Sequence, residues 1–267
     1  MQPLHLFGFT GMGNMAGAML DGCLDTFVPE QIAFTRRDDI RGRELADHTG
    51  VTYYRTVREC AQNAKVIILA VKPYTYPEVL PQIAPVLKEE HIVVSLAPGI
   101  TIASLKESLG ENVRIVRAMP NTPAAVGEGM TGLTFSKDDF TEDERELLER
   151  FFSSFGLMQE VPESLMDAVT AASGSSPAFV YMFIEALADG VCAAGMPRAQ
   201  AYTFVSQAVL GAAKMVLETG QHPGALKDAV CSPGGTTIAG VAALEKAGFR
   251  SSLIEAALCV FNKSHGK

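Results

Sequence analysis

Two glycine-rich stretches hold the residues whose types and spacing could do chemistry. The first is Ser232 to Thr237, SPGGTT. Pro233 stops whatever precedes it. Gly234 and Gly235 lack a Cβ and reach backbone conformations that let successive N–H groups turn toward one spot, just ahead of a helix expected to start near Ile238. The first N–H groups of a helix have no internal partner and carry partial positive charge, so that spot suits a carboxylate or phosphate. Thr236 and Thr237 add hydroxyls beside it that can donate or accept. The same six residues also suit a plain helix cap after a glycine turn.

The second stretch is Gly11-x-Gly13-x-x-Ala16. It follows the apolar run Leu4 to Thr10 and leads into a helical pattern of Met15, Met19 and Leu20, which is the strand-before, helix-after setting of a dinucleotide fingerprint. Gly11 allows the tight turn, Gly13 lets a pyrophosphate approach the backbone, and Ala16 keeps the helix close to the sheet. A glycine-rich turn in another βα unit would read the same way. The second expected strand, Gln31 to Thr35, ends in TRRDD. An acid at this point usually holds the ribose hydroxyls of NAD, whereas arginine pairs with the 2′-phosphate of NADP. Thr35, Arg36 and Arg37 therefore point to NADPH, with Asp38 and Asp39 capping the next helix and leaving the arginines free. Solvated loop charges are the plain alternative for the pair.

The elements that must position these residues alternate. Val66 to Val71, His91 to Ser95 and Val113 to Ala118 are continuous apolar runs, as in strands buried on both faces of a parallel sheet. Each ends in a turn (KPYTYP, APG and MPNTP), and helices such as Ile102 to Leu109 lie between. This is the pattern of a doubly wound, mostly parallel α/β domain, whose ligands bind beyond the strand ends. Lys72, Pro73, Ala97, Met119 and Asn121 are thus expected to line one crevice with Gly11 to Met15. Asn121, between two prolines, is either an amide that orients a ring or a simple turn residue. A short strand near Thr131 to Phe135, a capping box at Thr141 to Glu144 and a last strand at Leu157 to Val161 complete the domain.

From Glu163 the pattern is helix only. Pro177 to Ala194 and Arg198 to Thr219 are apolar over more than one face, so a second copy is expected to cover them. The 267 residues accordingly read as two domains, 1–161 and 162–267. A hydrophobic share of 48% without an uninterrupted apolar run of the ~18 residues a membrane span needs argues for a globular chain off the membrane. The net charge of -8 argues against nucleic acid. The N-terminus shows no charged leader, and five scattered cysteines without a C-x-x-C suit reduced thiols in the cytoplasm. Neither they nor the isolated histidines have the spacing of a metal site.

The residues also resemble a known family, pyrroline-5-carboxylate reductase, along nearly the whole chain. The similar segments are GFTGMGNMA at 8–16, AVKP at 70–73, VRAMPNTPAAVGEGM at 116–130, DAVTAASGSSPAF at 167–179, HPGALKDAVCSPGGTTIAG at 222–240 and FRSSLIEA at 249–256. The resemblance implies a Rossmann-type N-terminal domain, an all-helical C-terminal dimerisation domain, dimers that gather into larger rings, and NAD(P)H-dependent reduction of a cyclic imine in the last step of proline biosynthesis. It implies that Gly11, Met12, Gly13, Asn14 and Met15 hold the cofactor pyrophosphate, with Arg36 at the 2′-phosphate. Val71, Lys72 and Ala97 would serve ribose and nicotinamide, with Pro73 beside them and Asn121 next to the ring. It assigns the substrate carboxylate to Ser232, Gly235 and Thr236, the ring nitrogen to Thr237, and a place near the substrate to Glu163. NADPH is the expected donor, with NADH as an alternative. Ser176 stands where the family usually has glycine, Phe179 where it has tyrosine, Thr56 and Val57 where an asparagine is common, and Pro98 where a small residue is usual. Two other classes share parts of the pattern. A β-hydroxyacid dehydrogenase would need a lysine that 164–186 does not contain, and a non-catalytic NADPH-binding regulator has no use for SPGGTT.

Overall fold

The computed structural model describes residues 3–266. Met1, Gln2 and Lys267, which fall within the two sequence-read domains, lie outside them. The chain forms two compact units, Met1–Ser175 with Val260–Lys267, and Ser176–Cys259. The change from alternating to helical pattern still falls near 160–163, but the first helical turns after it belong to the first unit.

The first unit is built on one sheet: β1 (His5–Thr10), β2 (Ile32–Thr35), β3 (Thr52–Tyr54), β4 (Ala64–Leu69), β5 (Ile92–Ser95), β6 (Arg114–Met119), β7 (Gly129–Phe135) and β8 (Gly156–Glu160). Their order is β3-β2-β1-β4-β5-β6-β7-β8, and the order reverses beside β1. Every pair is parallel except β6 with β7. The link from Met119 to Gly129 holds only the 3-10 turn Thr122–Val126, too short for the crossover a parallel neighbour needs.

Helices cover both faces: α1 (Asn14–Cys23), α2 (Asp39–Thr49), α3 (Val57–Gln62), α4 (Tyr76–Ile83), α5 (Ile102–Leu109) and α6 (Glu142–Ser153). On one face Phe7 and Phe9 of β1 meet Phe151, with the Phe7 and Phe151 rings stacked at 4.3 Å between centroids. On the other, Ile67 and Leu69 pack with Ile83, Leu105 and Ile115. Both clusters are fully buried or nearly so, which is why the strands read as unbroken apolar runs. The capping box at Thr141 forms as its spacing dictates, with Glu144 N–H on the Thr141 hydroxyl and the Glu144 carboxylate on Thr141 N–H. That carboxylate also pairs with Arg114.

At the start of β5, His91 is 2% exposed. Its Nδ1 accepts from Lys88 N–H at 2.8 Å, while its Nε2 is buried without a partner. Burial lowers its pKa below the ordinary 6.5; Glu90 opposes the shift, and Lys88 and Arg114 add to it. A base with a depressed folded-state pKa contributes stability above its unfolded pKa and loses it as pH falls. Stability should therefore drop from about pH 6.5 downward, before the carboxylates titrate. His91→Gln should flatten that limb in denaturant titrations between pH 5 and 7. A limb of unchanged slope in the variant would clear His91 of the effect.

After a 3-10 turn (Glu163–Leu165), α7 (Met166–Val169) runs into a π turn at Thr170–Gly174. The second unit follows with α8 (Ser176–Ala193), α9 (Arg198–Thr219), α10 (Pro223–Ala229) and α11 (Thr236–Lys246), and α12 (Phe249–Ser264) leads back to the first unit. Its internal core is small, with Ala188, Ala201 and Val205 the buried apolar residues, and it leaves Met182, Phe204, Leu217 and Ile254 more than half exposed. The helical stretch Glu163–Ala193 has the length and mean hydropathy, 1.3, of a membrane span, with only 6% of the qualifying window buried. No uninterrupted apolar run reaches 18 residues; alanine, valine, isoleucine, leucine, methionine and phenylalanine between scattered polar residues set the average.

Candidate functional site

The nucleotide crevice lies at the C-terminal ends of β1, β2 and β4. Gly11 takes φ +93°, a region closed to most side chains. A Cβ there would sit 2.6 Å from Val71 Cγ1. Gly11 N–H donates to the Thr35 hydroxyl at 3.0 Å, so Thr35 is occupied with fixing the turn. Gly13 then caps α1 with no side-chain hydrogen bond, and a Cβ on it would meet nothing within 4 Å. The first amides of α1, from Asn14 and Met15 on, thus open onto bare backbone, and the helix dipole adds positive potential.

The cavity here is about 540 Å³. Gly11, Met12, Gly13, Thr35, Arg36 and Arg37 line it together with Val71 and Lys72. Met12 takes part through its backbone, since its side chain is buried in the core. Asn14, Met15, Pro73, Ala97 and Asn121 lie outside this lining. Arg55, which was not among the expected residues, and Thr56, noted only as a departure from the family's asparagine, also border it. The Thr56-x-x-Glu59 box that starts α3 is the sequence signal that locates them.

The acids after Arg37 are occupied. Asp38 caps α2 by accepting Arg41 N–H at 3.1 Å. Asp39 receives the Tyr53 hydroxyl and lies by Arg43 and Arg55. Desolvation would raise its pKa, but the Tyr53 hydrogen bond and the two guanidinium groups outweigh it and hold the carboxyl below the usual range. Arg36 and Arg37 make no ion pair among the described residues and face the crevice. The residues present fit a phosphorylated dinucleotide: a bare helix start for the pyrophosphate and two uncommitted arginines for a further phosphate.

Asn121 is 8% exposed. Its Nδ2 donates to Ser173 O at 3.0 Å and its Oδ1 accepts Met130 N–H at 2.9 Å. The amide ties the end of β6 to the start of β7 and to the π turn, so it orders a turn whatever else it touches. Ala97 is buried beneath the β5–α5 turn. Glu163 Oε1 accepts two donors, Ile102 N–H at 2.8 Å and Arg117 Nη1 at 2.9 Å. Its other oxygen has no partner among the described residues. A larger cavity of about 800 Å³ runs from Glu163 along α5 to Thr134 and Lys137, but no glycine turn lines it, and at the start of α5 Glu163 occupies the Ile102 amide and Thr101 that of Ser104, so it is not the dinucleotide site.

In the second unit, Ser232 to Thr237 form a tight turn into α11. Gly234 takes φ +71°, and Gly235 N–H donates to Ser232 O at 3.0 Å. A Cβ on Gly235 would lie 2.4 Å from Ser232 Oγ. Gly235 caps α11 without a side-chain hydrogen bond, so the helix begins at Thr236, two residues before the sequence estimate. A glycine cap lets the first turn form at once. The amides of Thr236, Thr237 and Ile238 and the hydroxyls of Ser232, Thr236 and Thr237 have no partner among the described residues. A plain capping role would occupy one of those hydroxyls with a helix amide, and none is so used.

Residues 163–266 match the family described as pyrroline-5-carboxylate reductase dimerisation, and residues 6–99 match that described as NADP oxidoreductase, coenzyme F420-dependent. The chain is 47% identical over 259 residues to the pyrroline-5-carboxylate reductase of Escherichia coli (strain K12), covering 96% of each. It is 40% identical to that of Arabidopsis thaliana, over 96% of this chain and 93% of the other. The crystal structure of the Plasmodium falciparum pyrroline carboxylate reductase with NADP bound superposes with a TM-score of 0.89 at 31% identity, over 100% of this chain and 99% of that one. With likeness this high running through both units, the chain belongs to the pyrroline-5-carboxylate reductase family.

Proposed function

We propose that this chain reduces pyrroline-5-carboxylate to L-proline, with NADPH as the preferred donor and NADH as a slower one. The observation that carries the reading is the turn at 232–237, where a bare helix start and uncommitted hydroxyls meet the needs of a small cyclic amino acid. Ser232, Gly235 and Thr236 hold the substrate carboxylate. The Thr237 hydroxyl holds the ring nitrogen, and Glu163 contributes its free oxygen near the substrate. The amides from Gly11 to Met15 hold the pyrophosphate, Arg36 and Arg37 the 2′-phosphate, and the backbone at Val71, Lys72, Pro73 and Ala97 the ribose and ring, with Asn121 bordering that position.

Reduced nicotinamide supplies the hydride. A protonated imine accepts hydride far better than a neutral one, so the protein's task is to fix the substrate face and tolerate positive charge on nitrogen. Thr237 does this by a hydrogen bond, with the carboxylate anchored a few ångströms away, and most of the acceleration is proximity and orientation. No histidine or cysteine takes part. The proton comes with the substrate or from water. Two copies associate through the exposed apolar faces of the helical unit, in the domain arrangement 1–161 for nucleotide and 162–267 for substrate and dimer, and five unpaired cysteines suit the reducing cytoplasm.

The test is one assay. NADPH absorbance should fall when pyrroline-5-carboxylate is added and stay constant with hydroxyacids; the reverse would refute the reading. Arg36→Ser should lower kcat/KM for NADPH by about 10- to 100-fold, the scale of charge-assisted hydrogen bonds to a phosphate, and leave the NADH value within about twofold. Equal losses with both donors would show that Arg36 does not read the 2′-phosphate.

A further inference from the structure

The loop that follows β4 gives the nucleotide crevice Ala70, Val71, Lys72, Tyr74 and Thr75. Its two ends are joined by a side chain that belongs to neither glycine-rich stretch. Tyr76, the first residue of α4, is 3% exposed, and its ring lies in the apolar layer with Leu69, Val79 and Leu80. Its hydroxyl reaches back across the base of the loop to Leu69 O at 3.1 Å and lies 3.0 Å from Ser95 Oγ. A phenol has one proton to give and a carbonyl can only accept, so Tyr76 donates to Leu69 and Ser95 donates to Tyr76. Burial pushes the Tyr76 hydroxyl up to about 12, against the bond from Ser95, and the proton stays in place at neutral pH.

The last residue of β4 and the first of α4 are therefore tied directly, which closes residues 70–75 into a ring. At its start Ala70 N–H donates to Thr10 O at 3.1 Å, and within it Thr75 N–H donates to Lys72 O at 2.9 Å. Among the described residues no side chain hydrogen-bonds the backbone of 70–75 itself, so the Tyr76 bond is the side-chain restraint nearest to it. The strands do not depend on that bond. Leu69 and Ser95 are already partners in the β4–β5 ladder, and Leu69 O also accepts Leu96 N–H at 3.3 Å. What the tyrosine fixes is where α4 begins relative to the end of β4, and with it how far the loop stands into the crevice.

We infer that Tyr76 is a positioning residue for the dinucleotide: its hydroxyl, bonded to Leu69 O, closes the 70–75 loop and so holds Val71 and Lys72 where the cofactor meets them. The inference rests on the proposed nucleotide site, and its test separates the two. Tyr76→Phe keeps the buried ring and should fold. In the unliganded variant, amide exchange at Ala70 to Lys72 and at Tyr74 and Thr75 should quicken by about tenfold. KM for NADPH should rise by about three- to tenfold with kcat within about twofold, the split expected when only binding geometry is disturbed. Ser95→Ala is the control, since it removes the same buried contact between hydroxyls but leaves the bond to Leu69; both readouts should stay within about twofold. Unchanged exchange at 70–75 in Tyr76→Phe would overturn the closure of the loop. Faster exchange with an unchanged KM would overturn its role in positioning, and equal rises in KM in the two variants would trace the effect to the buried hydroxyl pair instead of Leu69. Absence of NADPH binding by the unaltered protein would refute the nucleotide site itself, while the exchange result would still stand on the loop.

Discussion

Gly11→Ala should weaken NADPH binding by at least about 100-fold, the cost of disrupting a positive-φ turn together with the pyrophosphate hydrogen bonds it arranges. At φ +93° an alanine is strained whatever surrounds it, and its Cβ would lie 2.6 Å from Val71 Cγ1. Val71 lines the same crevice. Relief of the clash must therefore move either the turn, and with it the first amides of α1, or the Val71 side of the crevice. Gly13→Ala supplies the comparison that separates folding from binding. Gly13 has an ordinary backbone conformation and a Cβ there meets nothing in the protein within 4 Å. The added methyl should be silent in thermal unfolding and intrude only on a bound pyrophosphate. Fluorescence titration with NADPH checks both. Saturation by either variant within about threefold of the unaltered affinity would contradict the site.

Thr237→Ala should lower turnover by an amount equivalent to about 1 to 3 kcal/mol of barrier, or roughly 5- to 150-fold, the scale of a single hydrogen bond removed from a closed site. The hydroxyl has no partner in the protein among the described residues, so its removal leaves no orphan and the turn should survive. The effect should fall on pyrroline-5-carboxylate kinetics and leave NADPH affinity unaltered, because the nucleotide crevice is formed by other residues. Thr237→Ser, which keeps the hydroxyl, should recover most of the rate. Turnover and substrate KM unchanged in Thr237→Ala would remove the residue from its role.

Much of this was legible in the sequence because the signals are local. Apolar runs of Val and Ile marked β4, β5 and β6 to within two residues. The fingerprint glycines marked the β1–α1 turn, and Thr141 with Glu144 marked the start of α6. The antiparallel setting of β7 was not legible, since only the length of the link after Met119 hints at it. The three residues of β3 are too few to show a period, and Arg55 at its end was missed, while Thr56 was marked only as a departure from the family's asparagine. The multiple bonds of Asn121, Glu163 and Asp167 were invisible for a different reason. Their partners Ser173, Arg117 and Ser264 are joined through tertiary structure alone, the last of them 97 positions away. Glycine at the start of α11 was read correctly as a turn, but the helix was placed two residues late because a cap without a side-chain bond leaves no polar residue to mark it.

The central claim is that the turn at 232–237 receives the carboxylate of the amino acid. A crystal structure of the protein soaked with proline and NADP tests it most directly. The account predicts proline with its carboxylate in the turn of Ser232, Gly235 and Thr236, on the free amide of Thr236, and its ring nitrogen within hydrogen-bonding distance of the Thr237 hydroxyl. Proline bound in full occupancy elsewhere, with this turn empty, would contradict it.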